Sequence, residues 1–193
     1  MIDLNSKEFK GNTYFNNGIA GKVNNVSIKI VTKEPNTRQP DYQLVMEDTL
    51  GSINEGFYYP TPNPQWDTKR NDEYINRMIA RLMYLGRAVM GQDYVFPEVN
   101  TVKEAYDSVF GLISQNSEGK KFNVYVTYGT TNKPSKYLGL RFYDFIEPVS
   151  NEVSILMPKA SDMLERVKPD APKDNSGLDS LTGNETVNSN FTL

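Results

Sequence analysis

Two runs of strict alternation face each other across a turn in residues 120–148. A chain with that pattern is committed to an antiparallel hairpin. In the first run Phe122, Val124, Val126 and Tyr128 fall on one side of an extended backbone and Asn123, Tyr125 and Thr127 on the other, which is the period of a half-buried strand. Residues 129–135, Gly-Thr-Thr-Asn-Lys-Pro-Ser, are turn formers with a basic residue near their end. Beyond them Leu138, Leu140, Phe142 and Ile146 continue the apolar face over 137–146. The other face carries Tyr125, Tyr137, Arg141 and Tyr143, all pointing away from the core.

That second face has two readings. Tyrosine is enriched in strands for packing reasons alone, so a helix or a second sheet can half-cover it. Alternatively the face is a stacking platform, since tyrosine covers the flat face of an unpaired base and arginine stacks or takes a phosphate.

Composition narrows the chemistry. The chain has no cysteine and no histidine, which excludes disulfides, thiolate or imidazole zinc sites, cysteine nucleophiles and any triad with a histidine base. The neighbouring carboxylates Glu47 with Asp48, Asp72 with Glu73 and Asp144 with Glu147 are scattered and match no calcium-loop spacing, so they read as surface charge or helix capping. No metal, no cofactor and no catalysis are expected. At 193 residues the chain suits one domain plus a tail. No run approaches the ~20 apolar residues of a membrane span, and residues 1–7 lack a basic start followed by an apolar stretch. A soluble intracellular protein is expected.

The net charge of −3 is unevenly placed. Residues 161–193 hold six acids against the three bases Arg166, Lys168 and Lys173, leaving residues 1–160 neutral. Neutrality speaks against strong duplex binding, for which a basic domain is the usual footprint, but it leaves room for a locally basic groove.

Residues 1–17 form a polar arm anchored by Phe9, Tyr14 and Phe15. Residues 18–33 alternate as a long first strand, with Val26, Ile28 and Ile30 on one face and Ser27, Lys29 and Val31 on the other; Gly18 and Gly21 allow a bend or bulge. Residues 34–40 are an exposed loop between prolines, 42–47 a second strand, 48–51 a turn and 53–59 a third strand. The proline-rich stretch 61–67 carries the single tryptophan, Trp66, read either as a plug over the core edge or as an exposed stacking residue.

The period turns helical over 71–90, with Ile75, Met78, Ile79, Leu82, Leu85 and Val89 inward. Its other side shows Arg77, Arg81 and Tyr84, either a solvated face or a pair of phosphate holders one turn apart. Gly91 ends that helix, and Thr101 with Glu104 forms a capping box for a second running to about Ser114. After Pro148 come a short apolar piece at 153–157 and a helical turn at 161–167. From Lys168 onward prolines and glycines among polar residues predict a disordered tail that ends near Phe191.

Three strands, two helices and two strands is the element order of an OB-fold, so the expected fold is mainly β with two helices: a five-stranded Greek-key barrel with a helical insertion between strands 3 and 4. Residues 26–30, 42–48, the two helices, 122–128 and 137–142 resemble the single-stranded DNA-binding proteins of tailed bacteriophages. The resemblance spans roughly residues 18–148. It implies a domain over 18–160 after an arm at 1–17, a flexible acidic tail over 161–193 whose Phe191 contacts replication or recombination partners, and a place in the host cytoplasm. Strand alternation assigns the phosphate contacts to Lys22, Lys29, Lys133 and Lys136, with Arg77, Arg81 and Arg141, and the stacking to Tyr125, Tyr137 and Tyr143, with Trp66. The expected function is a non-catalytic coat on single-stranded DNA in phage replication or recombination. A phage structural or assembly protein, burying the same barrel against neighbours, is the second expectation, and a carboxylate enzyme using a divalent metal the third.

Overall fold

The computed structural model describes residues 14–34 and 37–166. The long first strand β1 (Gly21–Thr32) serves two partners. Its second half pairs with β2 (Tyr42–Glu47), Ser27 opposite Glu47 through Thr32 opposite Tyr42, and β2 pairs with β3 (Ser52–Phe57). Its first half pairs with β4 (Phe122–Thr130), Gly21 opposite Val126 and Val26 opposite Phe122. The register slips between Val23 and Val26, where Asn25 takes a φ of 60°. Asparagine tolerates that left-handed conformation better than most residues. The bulge predicted at Gly18 and Gly21 therefore sits at Asn24–Asn25.

The helices α1 (Thr68–Met90) and α2 (Val102–Asn116) lie between β3 and β4 in the chain. α1 starts three residues before the predicted point because the Asp67 side chain accepts from the Arg70 amide (2.7 Å). Gly91 ends it with a φ of 107°. The Thr101 hydroxyl accepts from the Glu104 amide (3.1 Å), and the Glu104 carboxylate accepts in return from the Asn100 amide (2.9 Å), one residue before the usual capping-box partner. Leu82, Leu85 and Val89 of α1 meet Tyr106, Val109, Phe110 and Ile113 of α2 over Val26, Ile28, Leu44, Met46, Phe122, Val124 and Val126, forming one apolar core.

The predicted fifth strand over 137–146 is two strands. β5 (Lys133–Leu140) pairs with the end of β4, and β6 (Ile146–Pro148) with its start. Between them Asp144 takes a φ of 51°, and Arg81 reaches in from α1 to donate to the Phe142 carbonyl (3.2 Å). The break turns Phe145 fully into the core. The sheet thus has six strands in the order β3-β2-β1-β4-β5, with β6 added on β4. Among the described residues no register joins β3 to β5, so the sheet is antiparallel and open, not a closed five-stranded barrel.

Two domain boundaries shift. Phe15 is buried in a short turn, Phe15–Gly18, whose Asn16 amide donates to Asp48 (2.7 Å), so the arm is docked on the β2–β3 turn from there. At the other end the predicted tail begins too early. The Tyr128 amide donates to the Met163 carbonyl (2.8 Å) and the Thr131 amide to the Ser161 carbonyl (2.9 Å), so 161–163 run along the end of β4 in place of a helical turn. Phe191 and the rest of 167–193 lie outside the described residues. No described helix is long and apolar enough to cross a membrane.

Candidate nucleic-acid interface

The face expected to be an open platform is covered. β4 is buried on both sides from Phe122 to Tyr128 because residues 149–166 return as a strap over its outer surface. Tyr125 is 2% exposed, and the Arg141 guanidinium stacks on its ring at 3.5 Å. Arg141 Nη2 donates to Asp162 (2.6 Å) in an ion pair whose two side chains are almost fully buried. Neither residue is available to a base or phosphate in this arrangement, which corrects the expectation that both point to solvent. Sequence alternation identified the outer face correctly but carries no information about what lies on it.

Beside them Glu147, 1% exposed, collects Lys22 Nζ (2.8 Å), Asn123 Nδ2 (3.2 Å), Ser154 Oγ (2.8 Å) and the Ile155 amide (2.8 Å). Burial raises the pKa of this carboxyl, but the Lys22 ammonium and the other donors outweigh it and hold the group down at about 2. Lys22 is therefore spent on fixing the strap, not free for phosphate.

Arg81 is also internal. Its Nη2 donates to Glu55 of β3 (2.7 Å), and its guanidinium lies 4.9 Å from the Phe57 ring centroid and 5.4 Å from that of Phe145. The side chain rivets α1 to β3 and to the β5–β6 break, so the phosphate role assigned to it is corrected. Lys29 is exposed but holds Glu47 at 2.6 Å.

The remaining sequence-assigned residues form two accessible groups. Along α1, Trp66 is half-buried, with the Arg70 guanidinium 4.4 Å from its centroid and Tyr74 edge-on at 5.6 Å. Arg77 is exposed and lies 5.1 Å from the Phe142 ring, while the neighbouring Tyr143 hydroxyl donates to the Arg77 carbonyl (3.4 Å). The second group follows β5. Lys133 and Lys136 are exposed, and Tyr137 is 77% exposed.

Tyr137 and Lys136 line a cleft of about 470 Å³ at the open seam, together with Ser52 and Ile53 of β3, Tyr128 and Arg166. Tyr14, 63% exposed, lines it as well. A smaller hollow of about 370 Å³ on the β4–β5 hairpin, lined by Lys133, Ser135 and Tyr137, shares Tyr137 with it. The position of Tyr14 follows from two local contacts: Phe15 inserts into the core, and Asp48 holds the next residue's amide. Tyr14 and Arg166 were not assigned from the sequence as site residues. Each lies in a terminal stretch without periodicity, and nothing in the pattern pairs them with β5.

A different cluster sits at the far end of β2. The Tyr42 and Tyr59 hydroxyls both donate to Asp107 Oδ1 (2.6 Å each), and Lys103 Nζ donates to Oδ2. Burial, then the bond to Asp107, raises the Tyr42 hydroxyl pKa. Burial also raises the Asp107 carboxyl, but Lys103 and the two phenols outweigh it and hold the group at about 2. The cluster ties α2 to the sheet, and its phenols stay neutral donors.

No protein-family model matches the chain, and no curated protein or solved structure matches it.

Proposed function

We propose that the protein is a non-catalytic binder of single-stranded DNA, and that the strand lies in the seam cleft between β3 and β5. The observation that carries this reading is the lining of the cleft: two well-exposed tyrosines, Tyr14 and Tyr137, interleaved with Lys136 and Arg166 around an open groove. Aromatic faces stack unpaired bases without regard to sequence, and cations along a groove track the backbone. Duplex DNA hides its base faces, so it gains only the phosphate contacts.

The architecture supports the same reading. The order β3-β2-β1-β4-β5 is that of an open antiparallel sheet, and we read it as OB-fold-like, a partly open type of barrel that binds oligonucleotides on its strand face and loops. Arg77 and Tyr143 meet just past the C-terminal end of β5 and offer a second group of cationic and aromatic side chains. A role in phage replication or recombination rests on the pattern resemblance of residues 18–148.

The test is anisotropy titration of a labelled oligothymidine of about 30 nucleotides at low and moderate salt, beside a duplex of equal length. Binding is expected to favour the single strand and to weaken as salt rises, because phosphate contacts release counterions. Tyr137→Ala is expected to lose roughly 5- to 150-fold in affinity, the range of one stacked base. Lys136→Ala is expected to lower the salt slope by about 0.7. Equal affinity for duplex, or an unchanged Tyr137→Ala titration, overturns the assignment.

A further inference from the structure

Three residues in succession, Asn16, Asn17 and Gly18, take left-handed φ values of 48°, 54° and 74°. Residues with a side chain adopt that conformation at a cost, and a run of it persists only where surrounding groups over-determine it. Here four contacts do so. Phe15 is buried in the core, the Asn16 amide donates to Asp48 (2.7 Å), Asn16 Nδ2 donates to the Ile19 carbonyl (2.8 Å), and the Tyr128 hydroxyl donates to the Gly18 carbonyl. Tyr14 hangs on the same turn, because its carbonyl accepts from the Asn17 amide (2.8 Å).

Tyr128 also meets the other walls of the seam cleft. β5 pairs Gly139 with Thr127 and Pro134 with Gly129, so its residues 135–138, which include Lys136 and Tyr137, bulge out opposite Tyr128 alone. The Tyr128 amide, outside that ladder, donates to the Met163 carbonyl (2.8 Å), three residues before Arg166. The Tyr128 side chain lines the cleft but is only 8% exposed, so it offers a base little face to stack on.

The structure assigns Tyr128 a positioning role: its hydroxyl fixes the turn Phe15–Gly18 and so holds Tyr14 at the cleft that Tyr137 also lines. The consequence for DNA rests on the reading that the strand lies in this cleft. Without the hydroxyl, the Gly18 carbonyl turns to water, Asn16 and Asn17 relax toward commoner φ values, and Tyr14 leaves its place. A stacking residue that must be ordered on binding lowers affinity.

Tyr128→Phe deletes the hydroxyl and keeps the ring. Amide exchange followed by NMR without DNA reads the turn directly. Exchange at Asn17 and Ile19, whose amides donate to the Tyr14 and Asn16 carbonyls, is expected to quicken about tenfold in Tyr128→Phe, while the β1–β2 ladder keeps the parent's rates. Oligothymidine titration reads the consequence. Tyr128→Phe is expected to weaken binding about three- to tenfold when Tyr14 is present and not at all in a Tyr14→Ala background. The salt slope stays the same in both, because no cation is touched. Equal loss in the two backgrounds, as a merely structural role predicts, overturns the inference, as does no loss in either while Tyr14→Ala itself is impaired. Unchanged exchange at Asn17 and Ile19 also overturns it. If Tyr14→Ala binds DNA as the parent does, the placing of the strand in this cleft falls, and exchange alone decides whether Tyr128 holds the turn.

Discussion

Tyr125 and Tyr137 alternate onto the same face of neighbouring strands, yet one is sealed and the other is 77% exposed. The difference is position in the sheet: β4 lies inside it and receives the strap, while β5 forms its edge. Truncating these residues therefore separates stability from binding. Asp162→Ala removes the counter-ion of Arg141 and leaves a buried guanidinium, two of whose nitrogens already lack partners. It is expected to cost about 3–5 kcal/mol in urea unfolding, whereas Tyr137→Ala leaves the midpoint nearly unchanged. Acid reports on the same scale. Glu147 and Asp107 titrate at about 2 in the folded protein against ordinary values of 4.5 and 3.8. The native state thus binds fewer protons than the unfolded one between those limits. Their contribution is complete above about pH 4.5 and is lost as the pH falls toward 2. Thermal midpoints are expected to fall through that window, and Glu147→Gln to make the fall shallower.

At the scale of elements, the strands and helices with strong periodicity were legible and their interruptions were not. The second strand, both helices, the Thr101 cap and the Gly91 stop follow from residue spacing, since each is a local device. The break between β5 and β6 is set by Arg81, some sixty residues away along the chain, whose donation to Phe142 interrupts a run that alternates convincingly as sequence. Sequence marks in the strap only a short apolar piece at 153–157 and a helical turn at 161–167, because 149–166 lack any regular period. Its hold comes from single side chains meeting β4. Turn geometry was partly legible, with glycine marking the place. Gly129 has a φ of 84°, and a Cβ there would lie 2.3 Å from the Lys133 carbonyl oxygen. Gly129→Ala is expected to cost about 1–3 kcal/mol and to lower the urea midpoint without altering the m-value.

For the whole molecule, the open seam and the strap divide the sheet's surfaces between them. One edge region stays accessible to a ligand, while the central strand is enclosed on both faces. A chain ended at residue 148 loses Ser154, Leu156 and Asp162 together and uncovers Asn123, Tyr125 and Thr127. It is expected to bind the dye ANS and to lose its cooperative urea transition, measured side by side with the full chain.

The bulge at Asn24–Asn25 also has a kinetic meaning. On one side of it β1 joins a meander that closes within a few dozen residues. On the other it waits for β4, on the order of a hundred residues later, so one strand joins a nearby pairing to the most distant one among the described strands. Loop-closure entropy makes the second pairing slow. During synthesis the hairpin half is complete while the first six residues of β1 still have no neighbour.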